Sequence, residues 1–110
     1  MKLKPSLKQK KRYILFEIQA AKSFSLPEVA EAVETSLLRF LGELGLAKAS
    51  PILVKEKWSD KKQRFVLKVN HKYVDELKTA VILNKKIKNN PVLIRSILVS
   101  GTLKKISSHL

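Results

Sequence analysis

Between positions 25 and 46 an apolar residue returns every three or four steps: Leu26, Ala30, Val33, Leu37, Leu41 and Leu44, with Phe40 alongside. That is the period of an α-helix with one buried face. Ser25-Leu26-Pro27-Glu28 supplies its start, because the serine caps, the proline suits the first turn and Glu28 completes a capping box. Gly45 is the expected stop. A helix with a single apolar face must lie against a second layer. Residues 12–20 offer part of one, with Ile14, Phe16 and Ile18 on one side and Tyr13, Leu15, Glu17 and Gln19 on the other. Apolar groups on both sides predict a central strand.

Residues 52–58 and 63–70 predict two strands of a hairpin joined by Ser59-Asp60-Lys61-Lys62. In the second of these, Phe65, Leu67 and Val69 form the buried side, and Arg64, Val66 and Lys68 the other. Asn70 can cap a second helix over residues 72–85, whose apolar stripe is Tyr73, Val74, Leu77, Ala80 and Val81. Asn89-Asn90-Pro91 breaks the chain, residues 92–99 form a last strand, and Ser100-Gly101-Thr102 turns into Lys104-Lys105. The order β-α-β-β-α-β predicts an α+β, ferredoxin-like (RRM-like) sandwich: a four-stranded antiparallel sheet with two helices on one face. Residues 1–11 are lysine-rich and aperiodic and read as a flexible basic arm; residues 12–106 form one domain, and 107–110 a tail.

Such a sheet keeps one face free. By alternation that face carries Tyr13, Leu15, Glu17, Arg64, Val66 and Lys68, with Leu93, Arg95, Ile97 and Val99 from the last strand. An RNA-recognition motif stacks bases there, on aromatics of its first and third strands. Here the third strand, Gln63-Arg64-Phe65-Val66-Leu67-Lys68-Val69, lacks that signature, and Tyr13 is the one good stacking candidate. Leu15, Val66 and Ile97 leave two readings open: sheet filling beneath a loop or tail, or a contact with another protein.

Charge points to the class of partner. Residues 25–46 hold four glutamates and one arginine, a local net of −3, so the other 88 positions carry +17 of a chain whose total is +14. An excess of that size favours a polyanion, since neutralised phosphates release condensed counterions. The basic groups are Lys8, Lys10, Lys11 and Arg12; Lys55, Lys57, Lys61, Lys62 and Arg64; Lys85, Lys86 and Lys88; and Lys104 with Lys105. They position a nucleic-acid backbone and read no base. The acidic first helix is expected to face something else, such as another protein.

Other chemistry is missing. The chain has no cysteine, which excludes disulfides and thiolate metal sites and fits a reducing compartment. His71 and His109 have no metal-ligand partner at a useful spacing, and three glycines make no phosphate loop. Asp75 and Glu76 open the second helix, where carboxylates serve its positive end. No run of about 18 apolar residues exists, so a membrane is not expected and a cytoplasmic location is. We expect no catalytic site and no cofactor bound by the protein.

Two segments carry a resemblance: Lys11-Arg12-Tyr13-Ile14-Leu15-Phe16-Glu17-Ile18, and more sharply Ile94-Arg95-Ser96-Ile97-Leu98-Val99-Ser100-Gly101-Thr102-Leu103-Lys104-Lys105. The strand followed by Ser-Gly-Thr, a hydrophobe and two lysines resembles the Pop-five family of archaeal ribonuclease P, its protein component 2. The resemblance spans residues 11–106. It implies a non-catalytic, RNA-binding subunit of the ribonucleoprotein that removes 5′ leaders from precursor tRNA, with cleavage performed by the RNA and its magnesium. It further implies as partners ribonuclease P RNA, protein component 3 and precursor tRNA, and a possible homodimer within a two-plus-two heterotetramer. Arg95, Ser100, Gly101, Thr102, Lys104 and Lys105 would then lie near RNA with Lys11, Arg12 and Tyr13 beside them. Lys8, Lys10, Lys61, Lys62, Arg64 and Lys68 complete the candidate set. The short stretches after residue 102 and between residues 46 and 51 leave little room for further helices. The runner-up is another RNA-binding module of the same fold, such as a ribosome-associated protein; an independent nuclease or a ligand-sensing domain would belong to other classes.

Overall fold

The computed structural model describes residues 10–110; Lys8 and most of the expected basic arm lie outside the described residues. Strand β1 (Lys11–Ala20) runs through the middle of the sheet, paired antiparallel on both sides. Its alternation sends Ile14, Phe16 and Ile18 into the main core, where Phe16 stacks on Phe65 with ring centroids 5.1 Å apart. Helix α1 (Leu26–Ala49), strand β2 (Ile52–Leu53), strand β3 (Arg64–Asn70), helix α2 (Val74–Ile82), strand β4 (Lys86–Ile87), strand β5 (Asn90–Ser100) and helix α3 (Leu103–Ser107) follow in order. The sheet order is β2-β3-β1-β5-β4.

This α+β, antiparallel design departs from the expected count. The sheet has five strands and the chain three α-helices among the described residues. The extra strand arises because Lys88 (φ 50°) and Asn89 (φ 66°) both turn left-handed and close a tight two-residue hairpin, pairing Asn90 with Ile87 and Pro91 with Lys86 where a simple break was expected. The predicted strand over residues 52–58 shrinks to Ile52–Leu53 and passes into a 3₁₀ turn at Lys55–Lys57. Lys55-Glu56-Lys57 has nothing to bury on either side of a pleat, which removes the usual reward for extending. Helix α2 is shorter than residues 72–85 because Asn70 caps a 3₁₀ turn, His71–Tyr73, accepting from the Lys72 amide at 3.1 Å.

Helix α1 starts as predicted: the Glu28 carboxylate accepts from the Ser25 amide at 2.9 Å and from its hydroxyl at 3.0 Å. It does not stop at Gly45. The break falls earlier, at Gly42 (φ 72°, ψ 174°), and helical structure continues until Ser50 turns left-handed. The bend swings the last segment inward, so that Ala49 is buried and Leu46 packs on the core. Ser36 ties α1 to α2 by donating to the Ala80 carbonyl at 2.7 Å. Only glycine occupies the Gly42 region without strain, so Gly42→Ala should cost about 1–3 kcal/mol, read as a lower urea midpoint at unchanged slope. An unchanged midpoint would show that the helix straightens freely.

The second sheet face is not free. Helix α3 folds back across it and buries Ile106 against Leu15 and Val66, all three at 0% exposure, with Tyr13, Val54, Ile97, Leu98, Leu103 and Leu110 around them. Of the two readings left open, filling beneath the chain's own tail describes Leu15, Val66 and Ile97. The few residues after Thr102 suffice for this helix, contrary to expectation, because a single isoleucine anchors it. A β-bulge also corrects the phase of β5. Leu15 pairs with Leu98 but Phe16 with Ser96, so Ile97 is skipped. Leu93 and Arg95 share the Glu17 side as predicted. Beyond the bulge Leu98 and Ser100 take that side, and Val99, opposite Ile14, takes the other.

Candidate nucleic-acid interface

Register sorts the predicted residues into two groups. At the start of β1, Tyr13 stands opposite both Lys68 and Ser100, and Lys11 opposite Asn70. The Lys68 ammonium lies 5.9 Å from the centre of the Tyr13 ring, a cation–π distance. Arg12 lies against Gly101 so closely that a Cβ there would stand 3.4 Å from the guanidinium. Ser100 Oγ accepts from the Thr102 amide at 3.1 Å and shapes the turn into α3, on which Lys104 and Lys105 are exposed. Lys10 is exposed, and its carbonyl accepts from the His71 amide at 2.9 Å. The two resembling segments, over 80 residues apart in the chain, thus meet at one end of the sheet.

The second group lies four residues along β1, about 13 Å away at strand rise. Glu17 stands opposite Arg64 on β3 and Arg95 on β5. Arg64 Nε donates to one carboxylate oxygen at 2.9 Å, its Nη2 pairs ionically with the same oxygen at 2.9 Å, and its Nη1 donates to the carbonyl of His109. Arg95 gives Nε and Nη2 to the other oxygen at 3.2 and 3.0 Å. Gln19 adds a bond to that oxygen at 3.2 Å. The Arg64 hydrogen bond, chiefly, holds the Glu17 carboxyl below the usual carboxylate range, against the opposing effect of desolvation. Lys61 and Lys62 sit in the turn before β3, whose Gln63 carbonyl accepts from the Ile18 amide. Gln63 itself is buried, its side chain bonded to the Phe24 amide and to the Phe24 and Asp60 carbonyls.

Sequence reading placed Glu17 on this face without seeing it as the shared partner of two arginines; only register reveals that. Arg64 is more occupied than expected, its side chain 20% exposed against 57% for Arg95. The basic group at residues 85–88 is partly neutralised as well, since Lys88 pairs with Glu31 of α1 at 2.7 Å. Among the described residues no cluster of three or more His, Cys, Asp or Glu could hold a metal ion, and no helix is long and apolar enough to cross a membrane.

The profile of the Rpp14/Pop5 family matches residues 12–110. This chain belongs to the Rpp14/Pop5 family. Its curated relatives carry the name ribonuclease P protein component 2. The chain is similar to that of Thermococcus kodakarensis, 36% identical over 104 residues covering 94% of this chain and 85% of the relative. It is likewise similar to that of Pyrococcus abyssi, 37% identical over 109 residues covering 96% and 91%. In Methanocaldococcus jannaschii the figures are 34% over 103 residues, 94% and 74%. A chain in the cryo-EM structure of yeast ribonuclease MRP shares the fold at a TM-score of 0.68 and 14% identity, over 93% of this chain and 92% of that one. The Rpp14/Pop5 match includes the whole of α3, so the helix over the second sheet face falls within the family's span.

Proposed function

We infer that this chain is a protein subunit of ribonuclease P, acting on the catalytic RNA in removal of 5′ leaders from precursor tRNA. The family supports that reading, and the observation that carries it is the meeting of Arg12, Tyr13 and Lys68 with Ser100, Gly101 and the turn into α3. Cationic groups there suit phosphates, and the exposed Lys104 and Lys105 extend the basic surface along α3. The RNA with its magnesium performs the cleavage, and the protein, working in the cytoplasm, binds no cofactor. Folding of such an RNA is opposed by phosphate repulsion, which a chain with +17 outside one helix can screen.

The test is cleavage of precursor tRNA by the reconstituted enzyme across a magnesium series, with and without this chain. A lower magnesium requirement in its presence is expected; identical curves would overturn the screening role. Changing Lys104 and Lys105 together to alanine should flatten the salt dependence of RNA binding by up to about two units. An unchanged slope would place both in solvent. For component 3 we assign α1, which carries the exposed Leu38, Phe40 and Leu44 beside Glu34 and Glu43, and a homodimer within a two-plus-two assembly is part of the same proposal. Strands β2, β3, β1 and β5 with α1 and α2 read as a ferredoxin-like frame to which β4 is an added edge.

A further inference from the structure

We propose that Glu17 is a positioning residue that presents Arg95 to an RNA phosphate, making Glu17 and Arg95 a preset phosphate clamp on the sheet face, beside the segment that follows α3. The proposal rests on the RNA-subunit reading above and adds to it a residue of the wrong sign for RNA. Of the five N–H donors of a guanidinium, Arg95 gives two to Glu17, leaving the remainder of the fork for an anion. Its side chain is 57% exposed, whereas Glu17 is 14% exposed. An arginine free in solvent must lose rotamer freedom when it grips a phosphate; one already held along one edge loses less. Arg64 has a different task. Its Nε and Nη2 are taken by Glu17 and its Nη1 by the His109 carbonyl, so it braces the carboxylate from the other side and ties down the end of the chain. Two arginines around one carboxylate leave a net positive charge, and that charge is on the exposed side. Lys61 and Lys62, in the turn at the same end of the sheet, extend the cationic surface.

The test exploits sign. Glu17→Gln makes the chain more basic by one charge, so electrostatics alone predicts tighter RNA binding. Positioning predicts the reverse. We would measure binding of the full chain to ribonuclease P RNA over a salt series, with a thermal melt of each variant. Arg95→Ala should weaken binding by about three- to tenfold at moderate salt and lower the slope by about 0.7–0.9. Glu17→Gln should weaken it by a similar factor, and the double variant should be no weaker than Arg95→Ala, because Glu17 acts through Arg95. Arg95→Lys keeps the charge at an exposed site and leaves the fold unstressed; it should still weaken binding, since an ammonium cannot be gripped along one edge and bind with the other. Equal or tighter binding by Glu17→Gln, or unchanged binding by Arg95→Lys, overturns the clamp while the RNA-subunit reading stands. Wild-type protein that shows no preference for this RNA over bulk ribosomal RNA overturns that reading and the clamp together.

Discussion

Ile106→Ala should remove about 2–5 kcal/mol of stability and release α3 from the sheet. The residue is fully buried, and it is the buried side chain by which a five-residue helix holds Leu15 and Val66 out of water. So short a helix has almost no stability of its own, since nucleation cost is not recovered in one turn. Loss of the anchor therefore undocks the whole segment rather than leaving a neat cavity. Urea denaturation should show a lower midpoint, and a dye for apolar surface should bind to the exposed Leu15-Val66 patch. Protease should cut after Lys104 or Lys105 long before it opens the rest of the domain. An unchanged midpoint with no dye binding would mean that α3 is held by something other than Ile106.

Phe65→Ala should be as costly or more so, at about 3–5 kcal/mol. Phe65 is at 0% exposure and stacks on Phe16 of the central strand at an interplanar angle of 18°. Both rings lie between the sheet and the two long helices, in the main core that includes Val29, Val33, Leu77 and Val81. Domains of this size are stable by about 5–15 kcal/mol, so the loss removes a large share of the total. The measurement is the same denaturation series, with Phe65→Leu as the milder comparison. A loss below about 1 kcal/mol for the alanine variant would show that the aromatic pair is not central to the core.

Much of the fold was legible because its signals are periodic and local. The alternation around Ile14 and Phe16, the three- and four-residue steps of α1 and the capping box at Ser25 and Glu28 each act within a few residues. What escaped was decided across the chain or by single backbone angles. Gly45 and Gly42 are equally good stops by composition, and only the packing of Leu46 and Ala49 selects Gly42 for the bend. The fifth strand depends on Lys88 and Asn89 both turning left-handed, which a lysine seldom does. Cover over the second face was one of two readings left open; that it is a helix escaped because five residues of Leu-Lys-Lys-Ile-Ser carry too little pattern to read as one. Of the candidate site, the meeting of its two ends was anticipated and the arrangement around Glu17 was not. Lys11, Arg12 and Tyr13 were expected beside Ser100, Gly101 and Thr102, and the β1–β5 register brings Tyr13 opposite Ser100 and Arg12 against Gly101. Nothing in the sequence tells that Arg64 and Arg95 share one carboxylate.

The bulge opposite Leu15 and Phe16 makes spacing itself a functional quantity. With Ile97 skipped, Arg95 keeps company with Glu17 while Ser100 still arrives opposite Tyr13. A regular ladder counted from the Arg95–Glu17 pair would bring Val99, not Ser100, opposite Tyr13, so the residue skipped at the bulge is what aligns both partnerships. Chain length across this stretch, and not only side-chain identity, therefore decides which residues meet. A one-residue deletion there would turn the ladder regular and keep both pairs, whereas a one-residue insertion would demand a second irregularity.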